Sequence, residues 1–162
     1  MQVESCRSQV FRAKLPASRV SSEPPSTSHH QPPTLLGVGI DIIEVERIRA
    51  SHERFGERFL NRVLLPPEVE YCLKHKFPAP FLAARFAAKE AVSKAFGTGI
   101  GAQLGWHDIE VGKKSSGEPF VILHGKGLDL LKSRSGRAVL LSLSHTDHYA
   151  AAVAVLEGLQ KL

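Results

Sequence analysis

The segment FLAARFAAKEAVSKAF, residues 81–96, decides how the rest of the chain is interpreted. Alanine has the highest helix propensity, so the segment predicts one long helix. It carries Glu90 and Lys94 one turn apart, the spacing of an ordinary exposed ion pair on a helix. The glycine-rich run GTGIG, residues 97–101, ends the helix and could present backbone amides to a phosphate group.

Around this helix, apolar periodicity and turn residues predict a mixed set of elements. Pro78 and Pro80 separate the long helix from the one before it. The other predicted elements are a strand over 35–43, helices over 45–63, 66–76 and 127–133, and strands over 107–111, 119–123, 139–145 and 149–155. The last four strands form two hairpins. This order of elements is typical of an α+β domain.

The composition divides the 162 residues into two parts. Residues 1–33 contain seven Ser and five of the ten Pro but no Gly, so they predict a disordered tail. Either this tail is an organelle transit peptide or it reflects an upstream start codon assigned in error, and both readings stay open. Residues 34–162 form the predicted folded domain, which is long enough to bury a core without disulfides.

The chain is modestly basic, with a formal charge of +5 and a pI of about 9.4. Negatively charged ligands would suit it, although a solvated surface explains the same charge. No run approaches the roughly 18 apolar residues of a membrane helix, so a membrane-spanning protein is excluded. Two Cys, one of them in the predicted tail, exclude a disulfide framework. We therefore expect a reducing compartment, the cytoplasm, unless the tail directs import into an organelle.

Acidic and basic residues in the two best-defined elements are candidates for chemistry. Asp41 is an acid inside an otherwise apolar strand, where it either pairs with a cation or caps the next helix. On the long helix, Glu90 with Lys94 and the pair Arg85 and Lys89 are, taken alone, ordinary exposed residues. The helix pattern by itself therefore assigns no function to them.

Two further motifs admit more than one interpretation. Gly37 and Gly39 allow either a close backbone approach or a simple interruption of the strand, and the third Gly of a dinucleotide fingerprint is missing. The run SHTDH, residues 144–148, contains the residue types of a Ser-His-Asp triad, but neighbours on a strand point to opposite faces. His145 falls at the exposed end of a strand face, where it could donate a hydrogen bond to a phosphate. A metal site with His148 is a weaker alternative.

Three motifs together resemble the short, bacterial-type branch of the 4′-phosphopantetheinyl transferases, the holo-[acyl-carrier-protein] synthases. They are GIDI at 39–42, FAAKEAVSKAFGTG at 86–99 and SLSHT at 142–146. The resemblance covers about residues 35–159 and implies that family's fold, a small antiparallel sheet packed with a long central helix. It also implies the family's reaction, which moves 4′-phosphopantetheine from coenzyme A to a serine of apo-acyl carrier protein and releases adenosine 3′,5′-bisphosphate.

The resemblance implies roles for individual residues. Asp41 and Glu90 match the family's Mg²⁺ ligands, and Lys94 matches a lysine that contacts the phosphates and can protonate the leaving group. The base that accepts the serine proton is either a metal-bound water or the Glu90 carboxylate. The remaining residues that match the coenzyme A site are Arg85, Gly97, Thr98, Gly99, His145 and Thr146.

The resemblance also implies partners. Acyl carrier proteins are acidic, and Arg47 matches a basic position on the first helix that meets them, with Arg54 and Arg58 as extensions. Family members of this length are homotrimers whose active sites are shared between neighbouring subunits. The segment 73–80 departs from the family because it is proline-rich, and Lys74 and Lys76 are candidates for the basic residues usually found there.

Two alternative functions belong to other classes. A catalytically silent module would bind acyl carrier protein without modifying it, although the complete set of Asp41, Glu90 and Lys94 argues against this. A small nucleic-acid-binding protein is suggested only by the charge, because no aromatic stacking platform or helix-turn-helix pattern accompanies it. We therefore expect neither nucleic acid nor membrane as a partner.

Overall fold

The computed structural model describes residues 33–159, without the side chain of Leu159. The predicted tail over residues 1–33 lies outside this part except for Pro33, so it stays a prediction. The elements in chain order are β1 (Pro33–Glu44), α1 (Val45–Phe55), α2 (Glu57–Val63), α3 (Pro66–Leu73), α4 (Ala79–Ala95), β2 (Ile109–Lys113), β3 (Pro119–Leu123), α5 (Gly125–Ser133), β4 (Gly136–His145) and β5 (Tyr149–Leu159). No helix within the described residues combines the length and the apolar character that a membrane span requires.

The sheet is antiparallel and has β5 in its centre, in the order β1-β5-β4. Val153 of β5 is paired with Ile40 on one side and with Ser142 on the other. Strands β2 and β3 form a separate antiparallel hairpin. The α+β class and the combination of a small antiparallel sheet with a long helix are therefore confirmed.

Helix α4 packs on the inner face of the sheet and is buried on nearly all sides. Four alanines are fully buried, as expected for a helix that is apolar around its whole circumference: Ala83, Ala87, Ala88 and Ala91. Small side chains allow a helix and a sheet to approach closely. The glycines of β1 serve the same close approach from the side of the sheet. A Cβ atom on Gly37 or Gly39 would collide with backbone carbonyl groups of α4, so the close-approach interpretation is correct.

The outer face of the sheet is apolar and exposed. Along β1 the side chains alternate, so that Val38, Ile40 and Ile42 point outward with 55%, 64% and 68% of their surface accessible. Leu140 of β4 and Val153 of β5 extend this patch across the sheet. We call these five residues the outer patch. Such a contiguous exposed apolar area marks a surface that another molecule covers.

Several predicted boundaries are wrong: the helix over 66–76 ends at Leu73, the strand over 107–111 spans Ile109–Lys113, and two further differences have a clear physical reason. The helix over 45–63 is broken at Gly56, whose φ of +53° favours glycine. The long helix begins at Ala79, before Pro80, and not at Phe81. Proline fits the first turn of a helix because the amide that it lacks has no partner there, so Pro80 lies inside the helix and does not break it.

Candidate functional site

Asp41 lies on the inner face of β1, opposite α4. Its Oδ1 atom is 2.7 Å from Lys94 Nζ, which also donates a hydrogen bond to the carbonyl oxygen of Ile40 at 3.1 Å. The N-cap residue of α1 is Glu44, and no side chain bonds to that cap. Of the two interpretations of Asp41, the structure therefore supports pairing with a cation.

Glu90 completes a group of three charged residues between β1 and α4. Partial burial and the nearby Asp41 carboxylate raise the pKa of Glu90, and the ammonium group of Lys94 acts in the opposite direction. Asp41 is thus near enough to Glu90 to disfavour its ionised form. Lys94 does not form the exposed ion pair with Glu90 that the helical spacing suggested, because its ammonium group reaches across to β1.

The pair Asp41 and Glu90 fits a hard divalent cation. Mg²⁺ is commonly held by one or two carboxylates and completes its shell with water and substrate phosphates. Within residues 33–159 no cluster of three or more His, Cys, Asp or Glu could hold a metal ion. A cation at this place would therefore depend on substrate oxygens, and the alternative of a site built on His145 and His148 gains no support from the described part of the chain.

A cavity of about 470 Å³ lies between α3, α4 and the β2–β3 hairpin, and its lining includes five basic residues and two acids: Lys74, His75, Arg85, Lys113 and Lys114, with Glu68 and Glu110. Tyr71 of α3 is one of the residues that line it. The ring centroid of Tyr71 lies 4.5 Å from the guanidinium carbon of Arg85, 4.5 Å from Lys74 Nζ and 5.8 Å from Lys113 Nζ. Three cations around one ring create a positive potential that favours an anionic ligand. We call this cavity the basic pocket.

Arg85 gives this pocket its chemical character. Only 3% of the residue is exposed, and its Nε atom has no hydrogen-bond partner. None of the ion pairs among the described residues includes Arg85. A buried guanidinium without a carboxylate is costly, so the site is suited to an anion that can accept hydrogen bonds from the guanidinium fork. The expectation that Arg85 is an ordinary surface residue, when it is taken alone, is wrong.

His145 lies beside the same pocket. Its ring meets Phe81 edge-on at 4.8 Å between centroids, and His75 stacks on Phe81 at 3.6 Å. Burial, followed by His75, Lys113 and Arg85, lowers the pKa of His145. Burial and the neighbouring cations also lower the pKa of His75. Arg85 and His145, which are far apart in sequence, are thus brought into one electrostatic environment.

The glycine-rich loop after α4 uses its first amides to close the helix. The amide of Gly97 bonds to the carbonyl oxygen of Lys94, and the amide of Thr98 bonds to that of Ser93. Gly97 has a φ of +69°, so this is the Schellman arrangement, which favours glycine at that position. The amide of Gly101 also donates a hydrogen bond, to the carbonyl oxygen of Leu104. A phosphate could therefore use only the amides of Gly99 and Ile100 in this loop.

Thr146 has a structural role in the turn between β4 and β5. Its hydroxyl oxygen accepts hydrogen bonds from the amides of His148 at 3.3 Å and Tyr149 at 3.1 Å. The hydroxyl of Thr146 is thus occupied within the chain. The turn places His145 at the end of β4, on the inner face of the sheet, as the alternation of the strand predicted.

The basic face of α1 is separate from the group of Asp41, Glu90 and Lys94 and from the basic pocket. Arg47 and Arg54 are exposed and lie seven residues, about two turns, apart on the same side of the helix. Arg54 lies over the ring of the exposed Phe55, and Arg58 is exposed on α2. Of the two lysines considered in the segment 73–80, Lys74 lines the basic pocket, whereas Lys76 lies over Phe77 and is not among the residues that line it.

Sequence reasoning missed several residues of the site. Tyr71 and Lys113 of the basic pocket were not singled out, and Lys89 was expected to be exposed but is 0% exposed. Its Nζ atom lies 2.7 Å from Glu68, which was not singled out either. One signal was available for Lys89: it stands among alanines that cover the whole circumference of α4, and a charge in such a helix needs a buried partner.

The chain is similar in sequence and in structure to proteins of one known family. Residues 37–154 match the family model of the 4′-phosphopantetheinyl transferase superfamily. A holo-[acyl-carrier-protein] synthase of Koribacter versatilis is 48% identical over 123 residues, which cover 76% of this chain and 98% of that protein. The crystal structure of the synthase from Neisseria meningitidis superposes with a TM-score of 0.71 at 32% identity, covering 76% of this chain and 98% of the other. The Helicobacter pylori synthase in complex with coenzyme A gives 0.66 at 35%, covering 74% and 98%.

Proposed function

Because the chain belongs to the 4′-phosphopantetheinyl transferase superfamily, we propose that its two charged sites divide the handling of coenzyme A between them. The protein is an enzyme of the holo-[acyl-carrier-protein] synthase type and transfers 4′-phosphopantetheine from coenzyme A to apo-acyl carrier protein. In the proposal, Asp41, Glu90 and Lys94 act at the pyrophosphate, and the basic pocket holds the phosphate on the ribose. The unpaired, buried guanidinium of Arg85 is the observation that carries this division.

Asp41 and Glu90 would hold Mg²⁺, which suits the two-carboxylate donor set described above. When bound, this ion supplies charge neutralisation at the pyrophosphate oxygens. The Glu90 carboxylate would accept the proton of the attacking serine hydroxyl. A water molecule on the bound ion is the alternative base.

Lys94 would donate a proton or a hydrogen bond to the leaving phosphate. Its ammonium group is already held by Asp41 Oδ1 and the Ile40 carbonyl oxygen, so its position does not have to be fixed during the reaction. The serine oxygen forms a bond to the β-phosphorus as the bond to the bridging oxygen breaks. Adenosine 3′,5′-bisphosphate leaves, and the proton that Lys94 supplies balances the charge on that oxygen.

The basic pocket would bind the 3′-phosphate of coenzyme A. Arg85 can donate two parallel hydrogen bonds to a phosphate, and His145 can add one from the end of β4. Helix α4 carries Arg85 and Glu90 five residues apart, which is about 7.5 Å along the axis. Because five residues also turn the helix by about 140°, the two groups face different sides of α4, as active sites shared between neighbouring subunits would allow.

The protein partners follow from two surfaces. The acidic carrier protein would meet Arg47 and Arg54 on α1, and this charge match would make the association rate sensitive to salt. The outer patch would be covered by further copies of the chain in a homotrimer with shared active sites, because its apolar side chains are more than half exposed along β1. The enzyme would serve fatty acid biosynthesis in the cytoplasm, or in an organelle if residues 1–33 direct import.

Intact-mass spectrometry of the carrier protein tests the proposal. The full chain, apo-acyl carrier protein, coenzyme A and Mg²⁺ should give a carrier heavier by one phosphopantetheine. The gain should disappear with a chelator and with Glu90→Ala, and it should persist with Asp129→Asn, a matched acid on the exposed side of α5. Binding of coenzyme A with no gain in mass would favour the catalytically silent carrier-binding module instead.

A further inference from the structure

One ion pair in the described chain is buried on both sides. Lys89 Nζ lies 2.7 Å from Glu68 Oε2, and the two side chains are 0% and 1% exposed. The other ion pairs among residues 33–159 each have at least one partner with 44% or more of its side chain exposed. Burying two charges is costly, and such a pair adds little net stability compared with apolar residues of the same size. Its value must therefore lie in what it positions.

The pair is fully satisfied by hydrogen bonds. Lys89 also donates to the carbonyl oxygens of Val63 at 2.9 Å and Trp106 at 3.0 Å. Glu68 also accepts from the amides of Leu65 at 2.8 Å and Val111 at 3.0 Å. The two side chains thus connect the end of α2, the start of α3, the middle of α4, the turn before β2, and β2 itself.

These connections reach the walls of the basic pocket. Glu68 and Val111 both line the pocket, and Lys113 lies two residues after Val111, on the same face of β2. Arg85 lies one helical turn before Lys89 on α4. The pair therefore fixes the distance between the wall that carries Arg85 and the wall that carries Lys113.

The pair also controls charge. Glu68 is an acid that lines a pocket suited to an anion, and the ammonium group of Lys89 neutralises it at 2.7 Å. Without Lys89, an uncompensated carboxylate would lie below the phosphate-binding groups. Within the described residues, the other acid that lines the pocket, Glu110, is paired with His124 Nε2 at 2.7 Å.

We propose that Glu68 and Lys89 are a positioning pair that sets the width and the charge of the basic pocket, and so determines the affinity for the nucleotide end of coenzyme A. This inference rests on the proposed role of the basic pocket. Neither residue belongs to the group of Asp41, Glu90 and Lys94, so the pair acts on substrate binding and not on the chemical step.

Steady-state kinetics of the full chain tests the proposal. Lys89→Met should raise the KM for coenzyme A about tenfold or more and change kcat less than threefold. Glu68→Gln, which keeps the shape of the side chain, should raise the KM to a smaller extent. The double variant should be less impaired than Lys89→Met alone, because the uncompensated carboxylate is gone; such non-additivity identifies a coupled pair.

A matched variant separates positioning from loss of stability. Leu156→Ala removes a fully buried side chain from β5, so it should lower the unfolding temperature without raising the KM. A KM that is equally raised in Leu156→Ala and Lys89→Met, or a fall in kcat alone in Lys89→Met, would overturn the proposal. If Lys89→Met does not fold, Glu68→Gln supplies the same comparison.

Calorimetric binding of adenosine 3′,5′-bisphosphate gives a readout without turnover. We expect a larger dissociation constant in Lys89→Met and Glu68→Gln and an unchanged dissociation constant in Leu156→Ala. If the wild-type protein bound this nucleotide but transferred nothing, the transferase function would be contradicted while the positioning role could still be measured. If the variants bound it as the wild type does, the positioning role would fail while the transferase function stood.

Discussion

Lys89 and Lys94 lie five residues apart on α4, but the first is buried and the second is partly exposed. The ammonium group of Lys89 is fully buried and makes three hydrogen bonds within the protein, to Glu68, Val63 and Trp106. Burial lowers the pKa of Lys89, and the adjacent Glu68 opposes that shift. Lys94 has 47% of its side chain exposed and reaches one carboxylate, Asp41, and one carbonyl oxygen.

The difference shows what burial does to one residue type on one helix. The buried lysine has no donor left for a ligand, so it can only hold its neighbours in place. The exposed lysine keeps a donor that a phosphate can use, and it stands beside the two carboxylates that could hold a cation. Four of the five predictions that follow test this distinction, starting with the largest expected effect.

Removing a carboxylate beside Lys94 should have the largest effect. Asp41→Asn and Glu90→Gln should each lower kcat by at least about 100-fold, because each change removes one of the two carboxylates that would hold Mg²⁺ at the pyrophosphate. The measurement is carrier modification followed by intact mass, with Asp129→Asn as the control. Retention of more than about a tenth of the wild-type kcat in either variant would contradict the assignment of this group to the chemical step.

Lys94→Met should lower kcat by roughly 100-fold, the usual scale of a lost general acid, and leave the KM for coenzyme A within a factor of about three. Its free energy of unfolding should change by less than about 1 kcal/mol, because the ion pair with Asp41 is partly exposed. Lys132→Met on the exposed side of α5 is the matched control. A large loss of stability without loss of kcat would reverse the roles of the two lysines.

Lys89→Met should instead lower the free energy of unfolding by about 3–5 kcal/mol, since it leaves the Glu68 carboxylate buried without its partner. Urea unfolding, followed by the fluorescence of Trp106, measures this loss; Trp106 is the one Trp of the chain. The account of Lys89 as a buried structural charge would be wrong if the loss were below about 1 kcal/mol.

The two histidines beside Phe81 predict a smaller, pH-dependent effect. The pKa values of His75 and His145 lie below the ordinary value of 6.5 in the folded protein, so the unfolded chain binds protons more readily. Stability should therefore fall as the pH is lowered from about 6.5 through the folded pKa values, and then level off. In NMR titrations both rings should have midpoints below 6.5, and adenosine 3′,5′-bisphosphate should raise them. Midpoints at or above 6.5 in the free protein would exclude this environment.

Cys72 should react very little with thiol reagents in the native protein. Its labelling rate therefore tests the packing around the buried Lys89. Its side chain is 0% exposed, and burial raises its pKa to about 12, although Arg85 acts in the opposite direction. Thiol reagents should label Cys72 in urea but not in the native protein, as measured on its peptide by mass spectrometry. Faster labelling in Lys89→Met would show that the pair helps to close this region, and equal protection in that variant would limit its effect to the pocket.

Local signals made much of this fold predictable. Strand β1 and helix α4 follow from a β-branched run and from an alanine-rich segment. The motifs of residues 39–42 and 86–99 are enough to place Asp41, Glu90 and Lys94 in the candidate site. Gly56 was missed because the apolar spacing of the helix continues across it. Pro80 was missed because a proline suits both a break and a first turn.

The buried pair could not be predicted because its partners are distant in sequence. Glu68 and Lys89 lie 21 residues apart on different helices, and their burial depends on how α3, α4 and β2 pack. The same holds for Tyr71 and Lys113, which become a pocket only when the β2–β3 hairpin lies beside α3. Local patterns identified the residues that match family motifs, whereas the residues that support them needed the tertiary structure.

A crystal structure of the full chain with coenzyme A and Mn²⁺ in place of Mg²⁺ would test the central claim most directly. Anomalous scattering should place Mn²⁺ between Asp41 and Glu90, with the pyrophosphate beside Lys94 and the 3′-phosphate beside Arg85 and His145. The side chain of Lys89 should make no contact with the ligand. Mn²⁺ bound away from Asp41 and Glu90, or a 3′-phosphate outside the basic pocket, would contradict the division of labour proposed for α4.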